Sequence, residues 1–222
     1  VKIRYSGDSI VNGGELVTGR EGTITSASIV NNTGLFTVEG IAAATTVNKG
    51  GRLNVAPGGT TGNISVIGGL AAVNGKSGAT SVGEAGIISG TGTLESLAVK
   101  SGGAVSPGNS VGTLNVNTDA AFDKGSVFNV EIAPDFLSAD RLAITGTAML
   151  LGGIVNVRLE NDTALLSKEV TEKSLFLKTF PILTANGGIK DNGQFESVWP
   201  QYNYITATLD YTAKDVILGF NF

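Results

Sequence analysis

The side chains that most often carry chemistry are few and scattered in this sequence. Its 222 residues include no histidine and no cysteine. Within them this excludes a Ser-His-Asp or Cys-His catalytic group, histidine-ligated zinc, thiolate metal sites and disulfides. Carboxylates remain: Asp135 with Asp140, or Glu160 with Asp162, have the residue types of a glycosidase pair. Loop carboxylates are far more often solvated, and the adjacent Asp140 and Arg141 read as a local ion pair contributing about 0–1 kcal/mol. Gly68-Gly69 and Gly102-Gly103 could open phosphate loops, but no Gly-Lys-Ser/Thr follows either pair and no helix is predicted there. A calcium-binding nonapeptide needs regular Gly-Gly-x-Gly-x-Asp spacing, and residues 1–116 hold a single Asp, Asp8. The expectation is therefore no catalytic, metal or cofactor site, no cofactor, and a protein that is not an enzyme. One group is left. Phe195, Trp199, Tyr202 and Tyr204 cluster in sequence, and Tyr and Trp are favoured at interface hot spots. Trp199, Tyr202 and Tyr204 are the candidates for partner binding, with packing of an end cap as the competing role.

Composition points to the elements that would have to position such residues. Apolar residues make up 41% of the chain and charged residues 15%, while glycine reaches 32 residues. Glycine does not fall at every third position, so collagen is excluded, and the recurrent Val, Ile and Leu could bury a core. A turn-rich all-β protein fits. The net charge of -4 gives no basic footprint for nucleic acid. No apolar run approaches the roughly 20 residues of a membrane span, so no membrane insertion of these residues is expected. The sequence has no signal peptide and opens in mid-pattern at Val1, as a fragment of a longer precursor would. Absence of cysteine suits export through an oxidising periplasm.

The chain divides near residue 117. Residues 1–116 carry 24 of the glycines but only two aromatic residues, Tyr5 and Phe36; residues 117–222 carry the other 12 aromatics and a net charge of -5. In the first half a Val-x-x-x-Gly frame recurs at Val30–Gly34, Val47–Gly51, Val82–Gly86 and Val99–Gly103. A shortened copy spans Val66–Gly69, and an earlier one runs from Ile10 to Gly14. The glycines at 34, 51, 69, 86 and 103 are spaced by 17 or 18 residues. Alternating segments such as Asn63-Ile64-Ser65-Val66 and Arg52-Leu53-Asn54-Val55 flank glycine-rich corners, which predicts short strands with one buried face. A unit this short suits one coil of a solenoid, each coil hydrogen-bonded to the next at about 4.8 Å. The fold expected is all-β: a right-handed, single-stranded parallel β-helix over residues 1–116, with a β-sandwich-like cap over residues 117–222. Val30, Val47, Val66, Val82 and Val99 should form one interior ladder, and the corner glycines should serve as turn residues.

Several segments then resemble a known family. Ala104-Val105-Ser106-Pro107-Gly108-Asn109-Ser110-Val111-Gly112-Thr113-Leu114 is similar to a segment near the end of many passengers of Gram-negative autotransporters. Gly125 to Ile132 and Ser138 to Ala148, with Asp140-Arg141-Leu142 at the centre, resemble that family's next paired strands. Leu151 to Val157, Phe180 to Gly188, Gly193 to Val198 and Asp215 to Leu218 continue the series, so the resemblance covers roughly residues 99–222. The sequence departs from the family between Glu160 and Lys178, where Leu165, Leu166, Glu169, Val170, Glu172 and Lys173 form a charged insertion.

The resemblance implies a secreted or cell-surface protein that reaches the outside after passage through the periplasm. It implies export across the outer membrane through the precursor's own translocator β-barrel, with the last passenger segment acting as an autochaperone that templates the coils above it. Adhesion or virulence would be the purpose, with a host cell-surface protein or matrix as partner and the chain a monomer. A soluble virulence factor whose solenoid itself engages a host receptor is the alternative. A β-helix polysaccharide-degrading enzyme fits less well, because no groove of clustered acidic and basic residues is visible.

Overall fold

The computed structural model describes residues 4–5, 9–160, 173, 175, 177–201 and 205–221. Each coil is made of up to three short strands. In one coil these are Thr60–Thr61, Ile64–Ile67 and Leu70–Val73; in the next, the first two merge into Lys76–Gly83, followed by Ile87–Gly90. The strands are short because every four residues or so a Gly, Asn or Pro turns the chain. They alternate because the inner face is apolar and the outer face wet: Ile64–Ile67 reads buried, half-buried, buried, exposed. Ile64–Ile67 pairs in parallel with Thr45–Asn48 on one side and Lys76–Gly83 on the other. Leu70–Val73 lies in the same way between Arg52–Val55 and Ile87–Gly90. The protein is thus an all-β parallel solenoid. Among the described residues the third face forms a nine-stranded sheet, and the other two faces share a seventeen-stranded one.

The register stacks like on like. Val11, Val30, Val47, Val66, Val82 and Val99 are successive partners down one inner column. Each valine from Val30 to Val99 is at most 1% exposed. Where a coil offers no valine, the column continues as Phe122 and Leu150. Beside it Ser9, Ser28 and Thr45 stack as buried hydroxyls.

The repeat glycines hold their places for a reason other than a turn conformation. Gly34, Gly51, Gly69, Gly86 and Gly103 each precede a strand of the nine-stranded sheet, and none has positive φ. Their Cα atoms instead press against the backbone of the neighbouring coil. A Cβ on Gly51 would sit 2.3 Å from the carbonyl oxygen of Val30, and one on Gly103 would sit 2.3 Å from that of Val82. Only a residue without Cβ fits there. The turn conformation belongs to their neighbours, such as Gly50 at φ 77° and Gly102 at φ 77°.

The shift in composition at residue 117 coincides with wider coils, and the stacking runs on through it. Ala104 pairs with Val127, Val127 with Ile154, and Ile154 with Ser197, so each of these coils is longer than the 17- or 18-residue repeat. Larger side chains fill the wider interior. Phe122, Phe128 and Phe195 pack together with ring centroids 5.1–6.0 Å apart. Among the described strands, direction reverses only in the last pairings. Thr179–Ala185 pairs in parallel with Arg141–Ile144 but antiparallel with Asp215–Asn221, which is paired antiparallel to Thr206–Tyr211. This final hairpin takes up the edge that another coil would otherwise use. Of the charged insertion, Lys173 and Leu175 are helical, while Leu165, Leu166, Glu169, Val170 and Glu172 lie outside the described residues.

Candidate functional site

The densest polar arrangement lies where the regular coils give way to the wide ones, on either side of Asp140 and Arg141. Asp140 is 1% exposed. Its Oδ1 accepts the Gly112 N–H at 2.8 Å and its Oδ2 accepts the Glu131 N–H at 3.0 Å. The carboxylate therefore ties the Pro107–Gly112 turn to the strand Val127–Ile132. Burial pushes its carboxyl up to about 7; the two backbone N–H groups pull the other way, and the nearby Glu131 and Glu160 add like-charge repulsion. Around the same turn, Ser110 Oγ donates to Glu160, and Asn74 Oδ1 accepts both Asn109 Nδ2 at 2.8 Å and Thr91 N–H at 3.2 Å. Gly108, at φ 88°, leaves no room for a Cβ, which would fall 1.8 Å from Ser110 O. The family-like Pro-Gly-Asn-Ser segment is a turn stapled from three sides.

The expected Asp140–Arg141 ion pair is corrected here. Consecutive residues entering a strand face opposite ways, so Asp140 points into the protein and Arg141 out of it. Arg141 Nη2 donates to Thr184 Oγ1 at 2.9 Å, and Thr184 Oγ1 donates in turn to Asp215 Oδ1 at 2.8 Å. Arg141 Nε is buried without an acceptor. The ion pairs among the described residues lie elsewhere: Lys100–Asp123 at 3.3 Å and Lys124–Glu196 at 3.5 Å. The suggested glycosidase pair is not assembled either. Asp135 is exposed and its Oδ1 accepts the Leu137 N–H, Asp140 is buried, and Asp162 lies outside the described residues.

Beside Arg141 the outer face of the large sheet carries a hollow of about 390 Å³. The pairing explains it. Thr93, Asn115, Ala143 and Thr184 are successive partners in one outward column, and Ala143 is the short member between two polar ones. Asn117, Thr145 and Asn186 form its rim. The sequence reading missed this hollow because its members come from four coils of unequal length. The one available signal, an arginine on an outward strand position, was absorbed into the supposed ion pair. A larger cavity of about 800 Å³ is lined by residues from Ser9 to Ile24.

The aromatic candidates separate. Phe195 is buried against Phe122 and Phe128. Trp199 is 58% exposed, on the outer face of Ser197–Pro200 and directly beside Asn156. Asn156 Nδ2 donates to Asn129 Oδ1 at 3.0 Å, and Asn129 Nδ2 to Ser106 Oγ at 2.9 Å, so Trp199 heads a polar ladder. Tyr202 and Tyr204 lie outside the described residues.

Known proteins give these features a context. An extracellular serine protease of Serratia marcescens is 42% identical over 134 residues, and a second is 40% identical over 112 residues. The Serratia protease is an autotransporter. Over the matched stretch this chain is similar to part of an autotransporter, consistent with a passenger segment. The chain spans only 12% and 10% of the length of these two relatives, and the matches cover 60% and 50% of it. Both relatives are named extracellular, in keeping with a secreted or surface location. No family model matches the chain. A solved structure of a TibC-catalyzed hyper-glycosylated TibA fragment aligns over 91% of it at 16% identity, with a TM-score of 0.36; the two differ too much in detail for one to stand for the other. The relatives also overturn one expectation. The chain was expected not to be an enzyme, yet both relatives are named as serine proteases. Absence of histidine bears on these 222 residues alone, which match only a small part of each relative.

Proposed function

We propose that this passenger segment is the stalk and folding nucleus of a secreted protein with extracellular serine protease activity. The protease reading rests on the two Serratia relatives; with no histidine in this segment, a Ser-His-Asp group would draw on residues outside it. The folding role is supported by one observation, the closure of the last sheet edge. At the C-terminal end the antiparallel hairpin Thr206–Tyr211 and Asp215–Asn221 occupies the last sheet edge, over a phenylalanine-filled interior. In a one-dimensional stack a coil gains stability only beside a formed neighbour. Ordering a bare glycine-rich coil is unfavourable, whereas a capped end can order first and template the rest during passage through the translocator barrel.

The test is a comparison of refolding rates in the intact chain. Phe128→Ala in the wide coils should cost about 3–5 kcal/mol and Val47→Ala in the regular ones about 1.5–3 kcal/mol. If the wide coils nucleate, Phe128→Ala slows refolding, while Val47→Ala leaves refolding unchanged and speeds unfolding. The reverse pattern would remove the folding role and leave an ordinary end piece.

Adhesion is a second reading. Exposed Trp199, heading the Ser106–Asn129–Asn156 ladder, favours contact with a host cell-surface protein or matrix. Loss of binding to cultured host cells by Trp199→Ala, with the melting temperature unchanged, is the expected outcome.

A further inference from the structure

The hollow over Ala143 has the features of a ligand site. Its volume of about 390 Å³ falls within the usual range of small-molecule pockets. It is lined by side chains held in place. Arg141 is fixed through Thr184 to Asp215, Asn115 Nδ2 is directed to Gly92 O, and Asn117 Nδ2 to Glu95. These contacts use the Nδ2 groups of both asparagines and Nη2 of Arg141, leaving the asparagine Oδ1 atoms and Arg141 Nη1 to meet a ligand. Alanine gives the floor a small apolar patch. The neighbours Asn115 and Thr184 stand on the strands either side of Ala143, about 10 Å apart at normal strand spacing.

The charge around the hollow decides the class of ligand. Its single cation, Arg141, faces two carboxylates: Asp215 through Thr184 and Glu95 through Asn117. An anion would meet that pair, and a cation would meet the guanidinium. A neutral ligand rich in hydroxyl groups meets neither. It would find acceptors on the asparagine amides and donors on Arg141, with hydroxyls of Thr93 and Thr145 able to serve either way. We infer that the hollow over Ala143 binds a neutral sugar unit of an oligosaccharide, with Arg141, Asn115 and Asn117 as its hydrogen-bonding groups. Preorganised side chains on rigid strands lower the entropic cost of that binding. The inference is independent of the folding role and of the protease reading.

The side-chain amide signals of Asn115, Asn117 and Asn186 report on the hollow directly. The intact chain, labelled with nitrogen-15, is titrated with neutral trisaccharides of glucose, galactose and mannose, and with a glucuronate-bearing trisaccharide, each to about 20 mM; a single shallow site of this kind binds in the millimolar range. At least one neutral sugar should shift these three amide signals saturably, and the acidic one should do so more weakly. Ala143→Leu fills the hollow without altering the inner face, and should abolish the shifts while leaving the melting temperature unchanged. Arg141→Gln should weaken binding about 10-fold. Three results overturn the inference: no neutral sugar shifting these signals, the acidic sugar binding more tightly, or shifts that persist in folded Ala143→Leu. Should that variant unfold, Ala143→Ser, which keeps the hollow open, and Arg141→Gln carry the test: retained shifts in the first with about 10-fold weaker binding in the second support the site, and any other pattern overturns it.

Discussion

Gly51→Ala should destabilise the protein by about 2–4 kcal/mol, even though Gly51 has an ordinary backbone conformation. The added Cβ would lie 2.3 Å from Val30 O and 2.8 Å from Val30 C. Relaxed carbon–oxygen contacts are about 3.3–3.6 Å, so the two coils must part by roughly 1 Å. The inter-coil bond from Arg52 N–H to Gly34 O, now 2.9 Å, would then stretch along with the pairing around Val30. Weakening about two hydrogen bonds by about 0.5 kcal/mol each, plus overpacking strain of about 1–3 kcal/mol, gives that range. Gly58→Ala is the matched control. Gly58 has φ 89° and nothing within 4 Å of its added Cβ, so only the left-handed backbone cost applies. That cost is about 1–2 kcal/mol, partly offset by lower entropy in the unfolded chain. At about 2–4 °C per kcal/mol for a chain of this size, Gly51→Ala should melt about 4–16 °C below the parent. Gly58→Ala should stay within a few degrees of it. Far-ultraviolet circular dichroism melts and urea midpoints measure both. If Gly51→Ala proves no more harmful than Gly58→Ala, close approach of the coils is not what holds glycine at these corners.

Two further outcomes follow from the interior. Val82 is fully buried and sits between Val66 and Val99, so Val82→Asp should cost several kcal/mol and Val82→Ala about 1.5–3 kcal/mol by urea titration; an unchanged midpoint for Val82→Asp would displace Val82 from the inner column. Burial raises the Asp140 carboxyl to about 7 in the folded protein, well above the ordinary aspartate range, so the folded state holds the proton more tightly; its stabilising contribution is complete below about pH 4 and is lost as pH rises through about 7. The stability of the parent relative to Asp140→Asn should therefore fall by on the order of a few kcal/mol across that window, and a pH-independent difference would show that the two backbone N–H bonds cancel the effect of burial.

The parallel solenoid was legible in the sequence because its coils repeat. A glycine every 17 or 18 residues, with alternating apolar positions between, leaves few other ways to bury Val30, Val47, Val66, Val82 and Val99 together, and nearest-neighbour stacking needs no long-range information. The likeness to autotransporter passengers was legible too, through the ordered series from Ala104 to Leu218. Other features depended on which coil lies beside which. That the corner glycines serve close approach rather than turning follows from the distance between Gly51 and Val30, residues of different coils. That Asp140 is an inward clamp and Arg141 an outward hydrogen-bonding group follows from which face each occupies, and a one-residue change of register would exchange them. The hollow over Ala143 gathers residues from Thr93 to Asn186. Its members come together only because coils of 22, 28 and 41 residues between paired positions close onto a common register, and those unequal lengths hide from any fixed period. Local pattern determined the strands and their stacking; the widths of the last coils, set by how Phe122, Phe128 and Phe195 pack inside them, decided which side chains meet on the surface.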